Sequence, residues 1–228
     1  METSDFKIQL ADANSVAARL YPAMKTRRTH VSVILGHGAG ANQLSGFMRL
    51  FANGLAERGL DVVTFNFLYM EQGRKIPDPA SRLESCYRAV IDSVVKNKKL
   101  KGNRLVIGGK SMGGRIASQV AASQAEDIDG LVFLGYPLHP PGRPDKLRSE
   151  HLPKIKAPML FVQGSRDAFG TKHEIETIIK TLKLHAQLYS VEGGDHSLKA
   201  PKAAGSQDQI YTQAMDAIAE WIEKNLIH

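Results

Sequence analysis

A serine set between two glycines, Gly109-Lys110-Ser111-Met112-Gly113, is the segment best placed to do covalent chemistry. It directly follows the apolar run Leu105–Ile107 and directly precedes a helix-forming stretch. A Gly-x-Ser-x-Gly turn between strand and helix forces the serine into a strained backbone conformation, and its glycines remove side chains that would collide with neighbouring elements. Oγ is then exposed near a helix N-terminus, where the Met112 amide can donate to a developing oxyanion. Because a serine hydroxyl is a weak nucleophile, it needs a base within reach and an acid to orient that base. Asp167 and His196 follow in that order, at separations of 56 and 29 residues, each just past an apolar run. Glu192 and Asp195 lie nearer to His196 in sequence, but adjacency is not geometry. The Asp195 side chain is expected to cap its own loop, which leaves Asp167 as the preferred acid.

A second glycine-rich loop, Gly36-His37-Gly38-Ala39-Gly40-Ala41, follows the run Val31–Leu35. Its glycines permit close backbone approach, so Ala39 is the expected second oxyanion donor beside Met112. The loop lacks the Lys-Ser/Thr ending of a Walker A sequence and the third glycine and distant acid of a dinucleotide fingerprint. His37 is read as structural. No His-Glu-x-x-His or paired-cysteine pattern is present, so neither a metal nor an organic cofactor is expected. The chemistry implied is two-step acyl transfer on an ester or thioester of a small molecule. Lys110 lies inside the elbow, and Arg74, Lys75, His139, Arg143 and Arg148 follow strands; all six read first as surface cations, though their positions allow them to border the same pocket. If two of them face it, an anionic acyl substrate is favoured by Coulomb attraction. His139 and Arg148 are the substrate-binding candidates.

For these loops to converge, the elements between them must be β-α units around a mainly parallel sheet. Strands are expected at Phe6–Leu10, Val16–Tyr21, Val31–Leu35, Val62–Phe67, Leu105–Ile107, Leu131–Leu134, Met159–Val162 and Gln187–Val191. Helices are expected at Leu44–Arg58, Ser81–Asn97, Gly114–Ala125, Lys172–Leu182 and Gln207–Asn225. The first two strands precede any helix and should form an antiparallel edge. The segment Tyr136–Ala157, with Pro137, Pro140, Pro141, Pro144 and Pro153, holds too much proline for one helix and reads as a loop over the sheet ends.

Composition bounds the whole. With 228 residues, 43% hydrophobic and 23% charged, the chain fits one globular domain over residues 1–228 that buries a full core. No apolar run approaches the roughly 18 to 20 residues of a transmembrane helix. The first ten residues lack the pattern of a secretory signal, and the single cysteine, Cys86, rules out an intramolecular disulfide. A cytoplasmic protein is therefore expected, with no membrane partner. The net charge of +7 suggests a polyanion partner, but the clusters Lys25–Arg28 and Lys96–Lys101 carry no interleaved aromatics. They read as solvated surface, with no nucleic-acid partner expected.

The order Ser111, Asp167, His196, together with Gly36-His37-Gly38, resembles the α/β-hydrolase superfamily over nearly the whole chain. Within it, Gly108–Arg115 and Gly135-Tyr136-Pro137-Leu138-His139-Pro140-Pro141 resemble the small dienelactone-hydrolase-like proteins related to the testis-expressed hydrolase-like and NSL-complex subunit families. The resemblance implies a compact α/β-hydrolase fold without a large cap, and a serine hydrolase activity. True dienelactone hydrolases use a cysteine nucleophile, whereas this elbow holds Ser111, so dienelactone itself is not the expected substrate. The alternative is a scaffold that keeps the fold and serves in binding or complex assembly.

Overall fold

In the computed structural model, which describes residues 2–123 and 127–227, the apolar runs become eight strands of one sheet. These are β1 (Ser4–Gln9), β2 (Ser15–Tyr21), β3 (Val31–Gly36), β4 (Asp61–Phe65), β5 (Arg104–Lys110), β6 (Gly130–Leu134), β7 (Met159–Gly164) and β8 (Ala186–Val191). The helices are α1 (Gly46–Glu57), α2 (Leu68–Glu71), α3 (Ala80–Lys96), α4 (Met112–Ala122), α5 (Lys172–Thr181) and α6 (Gln207–Leu226). The end of the helix expected at Gly114–Ala125 falls outside the described residues. Among the described residues no helix is long and apolar enough to cross a membrane.

The sheet order is β1-β2-β4-β3-β5-β6-β7-β8. β1, β2 and β4 pair antiparallel, and every later pairing is parallel, so the two N-terminal strands form the antiparallel edge expected of them. β3, β4, β6 and β7 are buried at every position because helices cover both faces. One face packs side chains of α3, α4 and α5, among them Leu83, Tyr87, Ile116 and Ile175, against Ile34, Phe133 and Phe161. The other packs α1 and α6, through Phe51, Leu55, Ile218 and Trp221, against Leu35, Val132 and Val162. The α5 and α6 starts are fixed by capping boxes, Thr171 with Glu174 and Ser206 with Gln209. This is an α/β-hydrolase fold with no cap.

Boundaries shift where glycine hides an element. β5 runs through Gly108 and Gly109 to Lys110, three residues past the expected end at Ile107. Tyr87 explains the extension: its buried hydroxyl accepts from the Gly108 amide at 3.0 Å and lies 2.7 Å from the Gly108 carbonyl oxygen and 3.0 Å from that of Ile34. A tyrosine from α3 thus spans β3 and β5 below the elbow. α4 likewise begins at Met112, two residues before the expected start at Gly114. The short α2 carries no periodic signal of its own and was not expected. Tyr136–Ala157 is irregular apart from a single 3-10 turn at Leu152–Lys154. It folds back on itself, the Arg148 amide donating to the Leu138 carbonyl and the Tyr136 hydroxyl to that of Arg148, both at 2.8 Å.

Candidate active site

Ser111 occupies the one-residue gap between β5 and α4, with φ 50° and ψ −115°. A non-glycine residue there is strained by about 1–3 kcal/mol and persists because its surroundings leave no alternative. Its amide donates to the Leu134 carbonyl at 3.1 Å, and the Arg115 amide donates to its own carbonyl at 3.0 Å, so both sides of the turn are held. Gly113 packs against β3: a Cβ there would collide with the carbonyl of Gly36. Only with a hydrogen at that position does α4 lie close enough to lift Oγ above the sheet.

Asp167 and His196 arrive from the loops after β7 and β8. The two loops are joined by the Arg166 amide, which donates to the Gly194 carbonyl at 2.9 Å. Asp167 is wholly buried. One carboxylate oxygen accepts from the Phe169 amide at 2.8 Å; the other accepts from His196 Nδ1 at 2.7 Å and from Gln163 Nε2 at 2.8 Å. An ionised carboxylate only accepts, so Nδ1 carries the imidazole hydrogen and Nε2 is left as a base. That Nε2 lies 2.7 Å from Ser111 Oγ. Phe169 packs against the imidazole with ring centroids 4.1 Å apart and planes tilted by 30°, which restricts rotation of the ring. Sequence reasoning brought Ser111, Asp167 and His196 together but missed Phe169 and Gln163. Gln163 is fully buried and holds the acid loop from three sides, donating to Tyr136 O and Gly170 O and accepting from the Tyr136 amide at 2.7 Å. A polar residue in an otherwise apolar strand was the signal available. Asp195 caps its own loop by accepting from the amides of Ser197 and Lys199, as expected.

Ala39 and Met112 both border the cleft. The loop bearing Ala39 is pressed against the elbow: a Cβ on Gly38 would lie 3.6 Å from both Ser111 Cβ and the Lys110 carbonyl oxygen. His37 anchors this loop, its Nε2 accepting from the Phe67 amide at 3.1 Å and its Nδ1 donating to Gly38 O at 2.8 Å. Burial pushes its pKa down to about 4, so it stays neutral. The Met112 amide, first in α4, has no acceptor within the helix. The Ala39 amide donates to no main-chain acceptor among the described residues. Both donors are thereby available to a ligand.

The cleft above Ser111 has a volume of about 650 Å³ and is open to solvent. Its walls are apolar at Phe47, Met48, Leu83, Met112, Pro137 and Phe169, with polar groups at Lys110, Asp78, Arg115 and Arg148. Arg148 faces the cleft as expected; His139 does not. The His139 ring is buried under its own loop, with Nε2 3.1 Å from Glu174 Oε1 and Nδ1 2.9 Å from Pro140 O. The N-terminal carboxylate of α5 draws it away from the substrate side. Arg74 and Arg143 are also drawn off, into ion pairs with Asp78 and Asp145. Lys75 does not line the cleft, whereas Arg115, which was not expected, does. Lys110 enters from below, its Nζ donating to the His196 carbonyl at 2.6 Å and lying 5.8 Å over the Phe47 ring.

A second cleft, of about 720 Å³, lies between β1 and α3 and has Cys86 in its wall. Burial pushes the Cys86 thiol up to about 12, so at neutral pH it is not a nucleophile. Among the described residues no three His, Cys, Asp or Glu side chains are grouped as a metal's ligands would be.

Known structures share this architecture. The chain is similar to a dienelactone hydrolase from Anabaena variabilis, with a TM-score of 0.77 at 21% identity over 99% of this chain and 98% of that one. It is similar to an α/β serine hydrolase homologue from Coxiella burnetii, with a TM-score of 0.73 at 19% identity over 99% and 98%. It also matches an α/β serine hydrolase without a lid from Xanthomonas campestris, with a TM-score of 0.72 at 17% identity over 99% and 94%. At such identities the likeness speaks for the fold. Residues 29–223, most of the sequence, match the profile of the family described as Alpha/beta hydrolase domain, and the chain belongs to that family.

Proposed function

We propose that this protein is a serine hydrolase that cleaves ester or thioester bonds of a small acyl substrate through an acyl-enzyme intermediate. The observation that carries the reading is the unbroken line from Ser111 Oγ to His196 Nε2 and from His196 Nδ1 to Asp167, each link 2.7 Å long, behind a nucleophile held at positive φ. His196 takes the hydroxyl proton as Oγ attacks the carbonyl carbon, and Asp167 stabilises the imidazolium that forms. The amides of Ala39 and Met112 donate to the oxyanion. Collapse of the tetrahedral adduct breaks the bond to the leaving alkoxide or thiolate, which takes the proton from His196. Water, deprotonated by the same imidazole, then releases the acid and regenerates Oγ–H. The chain is placed among the small dienelactone-hydrolase-like serine hydrolases related to the testis-expressed and NSL-complex subunit group. Its sequence motifs support that placement, as does a cleft with no covering domain. A small cytoplasmic metabolite is the substrate this reading calls for.

The test is labelling with a fluorophosphonate probe alongside a panel of short acyl esters and thioesters. Ser111→Ala, checked for folding by circular dichroism, is expected to lose both labelling and turnover. Undiminished turnover in that variant refutes the mechanism.

A further inference from the structure

Three cations border the cleft beside Ser111, and their surroundings separate them. Lys110 is turned inward and committed to the His196 carbonyl. Arg115 and Arg148 are half-buried. Among the described residues neither has a carboxylate within ion-pairing distance, whereas Arg19, Arg58, Arg82 and Arg104 each have one. Arg115 Nη1 meets the Gln119 side-chain oxygen only at 3.5 Å, and Arg148 Nη1 meets the Pro137 carbonyl only at 3.4 Å. A guanidinium carries five N–H donors, so most of both forks remain unused.

Position makes this more than surplus surface charge. Arg115 lies one helical turn beyond Ser111 and so shares its face of α4. Arg148 reaches the same cleft from the loop after β6. The two guanidiniums feel each other: burial and then the charge of Arg148 hold the Arg115 pKa below its usual value, against smaller raising effects of Tyr136 and of Glu84, which lies beyond ion-pairing distance. Two like charges held together in a half-desolvated wall are destabilising unless an anion joins them. Asp78, a carboxylate that lines the same cleft, does not serve, because its charge is taken by Arg74 at 2.6 Å.

We infer that Arg115 and Arg148 form an anion subsite beside Ser111, so that the favoured substrate is an ester or thioester bearing a second, negatively charged carboxylate or phosphate group. Both groups match the guanidinium fork. The inference rests on the acyl-transfer reading and adds its substrate class. Charge attraction in this setting amounts to about a tenfold gain in kcat/KM for each well-placed pair.

The experiment compares 4-nitrophenyl valerate with its ω-carboxylate counterpart, 4-nitrophenyl glutarate, and with the matching ω-phosphonate. A further pair, phenyl acetate and 4-acetoxybenzoate, places the charge on the leaving group. At low ionic strength at least one charged ester is expected to exceed its neutral partner about tenfold or more in kcat/KM. That ratio should fall towards one in Arg115→Gln and in Arg148→Gln, and be partly kept in the Lys variants. Ratios near one in every wild-type pair, or ratios unmoved by both Gln variants, overturn the subsite and leave the hydrolase reading intact. If no ester is turned over at all, the hydrolase reading fails, and binding decides the subsite alone. Calorimetry on Ser111→Ala should then show glutarate or phenyl phosphate binding about tenfold more tightly than in the same protein with Arg148→Gln. Equal binding overturns the inference.

Discussion

The ammonium of Lys110 donates to the carbonyl oxygen of His196 at 2.6 Å, so the residue immediately before Ser111 fastens the loop whose imidazole meets Ser111 Oγ. Gly135 makes the contact possible. It stands at φ 69°, and a Cβ there would crowd the His196 carbonyl and approach Lys110 Nζ to 3.2 Å. Ser111, His196 and the turn after β6 are therefore one packed unit. Lys110→Met removes the only charged donor of that unit and is expected to lower kcat on short esters by about tenfold to a hundredfold. KM should move little, since Lys110 holds the base and not the substrate. A change confined to KM would show that Lys110 acts on the substrate instead.

The same lysine gives the fold a pH signature. Burial lowers its pKa from the usual 10.5 to about 8, against a smaller raising effect of Asp167 and Asp195. Between those two values the unfolded chain binds the proton more tightly than the folded one, so stability from this group rises as pH increases from about 8 to about 10.5. Below pH 8 the full penalty of the buried ammonium is present. The gain is no more than about 3 kcal/mol. Urea unfolding of wild type and Lys110→Met at pH 7.5 and pH 10 measures it: the wild type should gain on the variant at the higher pH. A difference that stays constant, or narrows the other way, excludes the assignment.

Gln163 and Asp167 separate orientation from charge. Asp167→Asn keeps the shape of the site but favours the wrong imidazole tautomer, and should reduce kcat by about 10³- to 10⁴-fold. Gln163→Leu leaves the Tyr136 amide and the Gly170 carbonyl without partners in a buried setting, at about 1–3 kcal/mol each. Its expected effects are a lower unfolding midpoint and a smaller loss of kcat than in Asp167→Asn. Equal kcat losses in the two variants would mean that Gln163 does more than hold the acid.

The convergence of Ser111, Asp167 and His196 was legible in the sequence because each follows a strand, and a parallel sheet delivers strand ends to one edge. The helices were legible too, since α3 and α6 each present one apolar face. What stayed hidden depended on contacts between segments distant in sequence. Nothing near His139 announces that Glu174, 35 residues on, will hold its ring away from the cleft. Nor does anything in the Gly108–Arg115 motif announce that Arg115 will line the cleft with, among the described residues, no carboxylate within ion-pairing distance. The continuation of β5 through Gly108 and Gly109 was invisible because glycine has no strand propensity to read, and it is Tyr87 on α3 that satisfies the backbone there.

That tyrosine is itself testable. Burial pushes its pKa far upward, so the hydroxyl stays protonated and serves as donor and acceptor at once. Tyr87→Phe keeps the ring packing against Phe65 but strips the Gly108 amide of its partner. The expected loss is about 1–3 kcal/mol of unfolding free energy, read from urea melts. Because the affected strand ends at Lys110, directly before Ser111, hydrogen exchange at the elbow amides should quicken more than exchange in α6. Uniform quickening would place the loss in global stability and not in the elbow.

Ser111 offers a test of whether the elbow stores strain. Ser111→Ala and Ser111→Gly both delete Oγ and its bond to His196, so their difference reports the backbone alone. Alanine must still adopt φ 50° with a Cβ, at a strain of about 1–3 kcal/mol, whereas glycine visits positive φ freely. Against this, glycine loses about 0.4–1 kcal/mol through the greater freedom of the unfolded chain. The balance favours glycine, and Ser111→Gly is expected to unfold at higher urea than Ser111→Ala by the equivalent of about 0.5–2 kcal/mol. The inverse order would mean that the turn relaxes once Oγ is gone, and that the strain belongs to the serine's bond with His196 rather than to the backbone. In either variant the fluorophosphonate label must be absent, which separates the loss of the nucleophile from the change in stability.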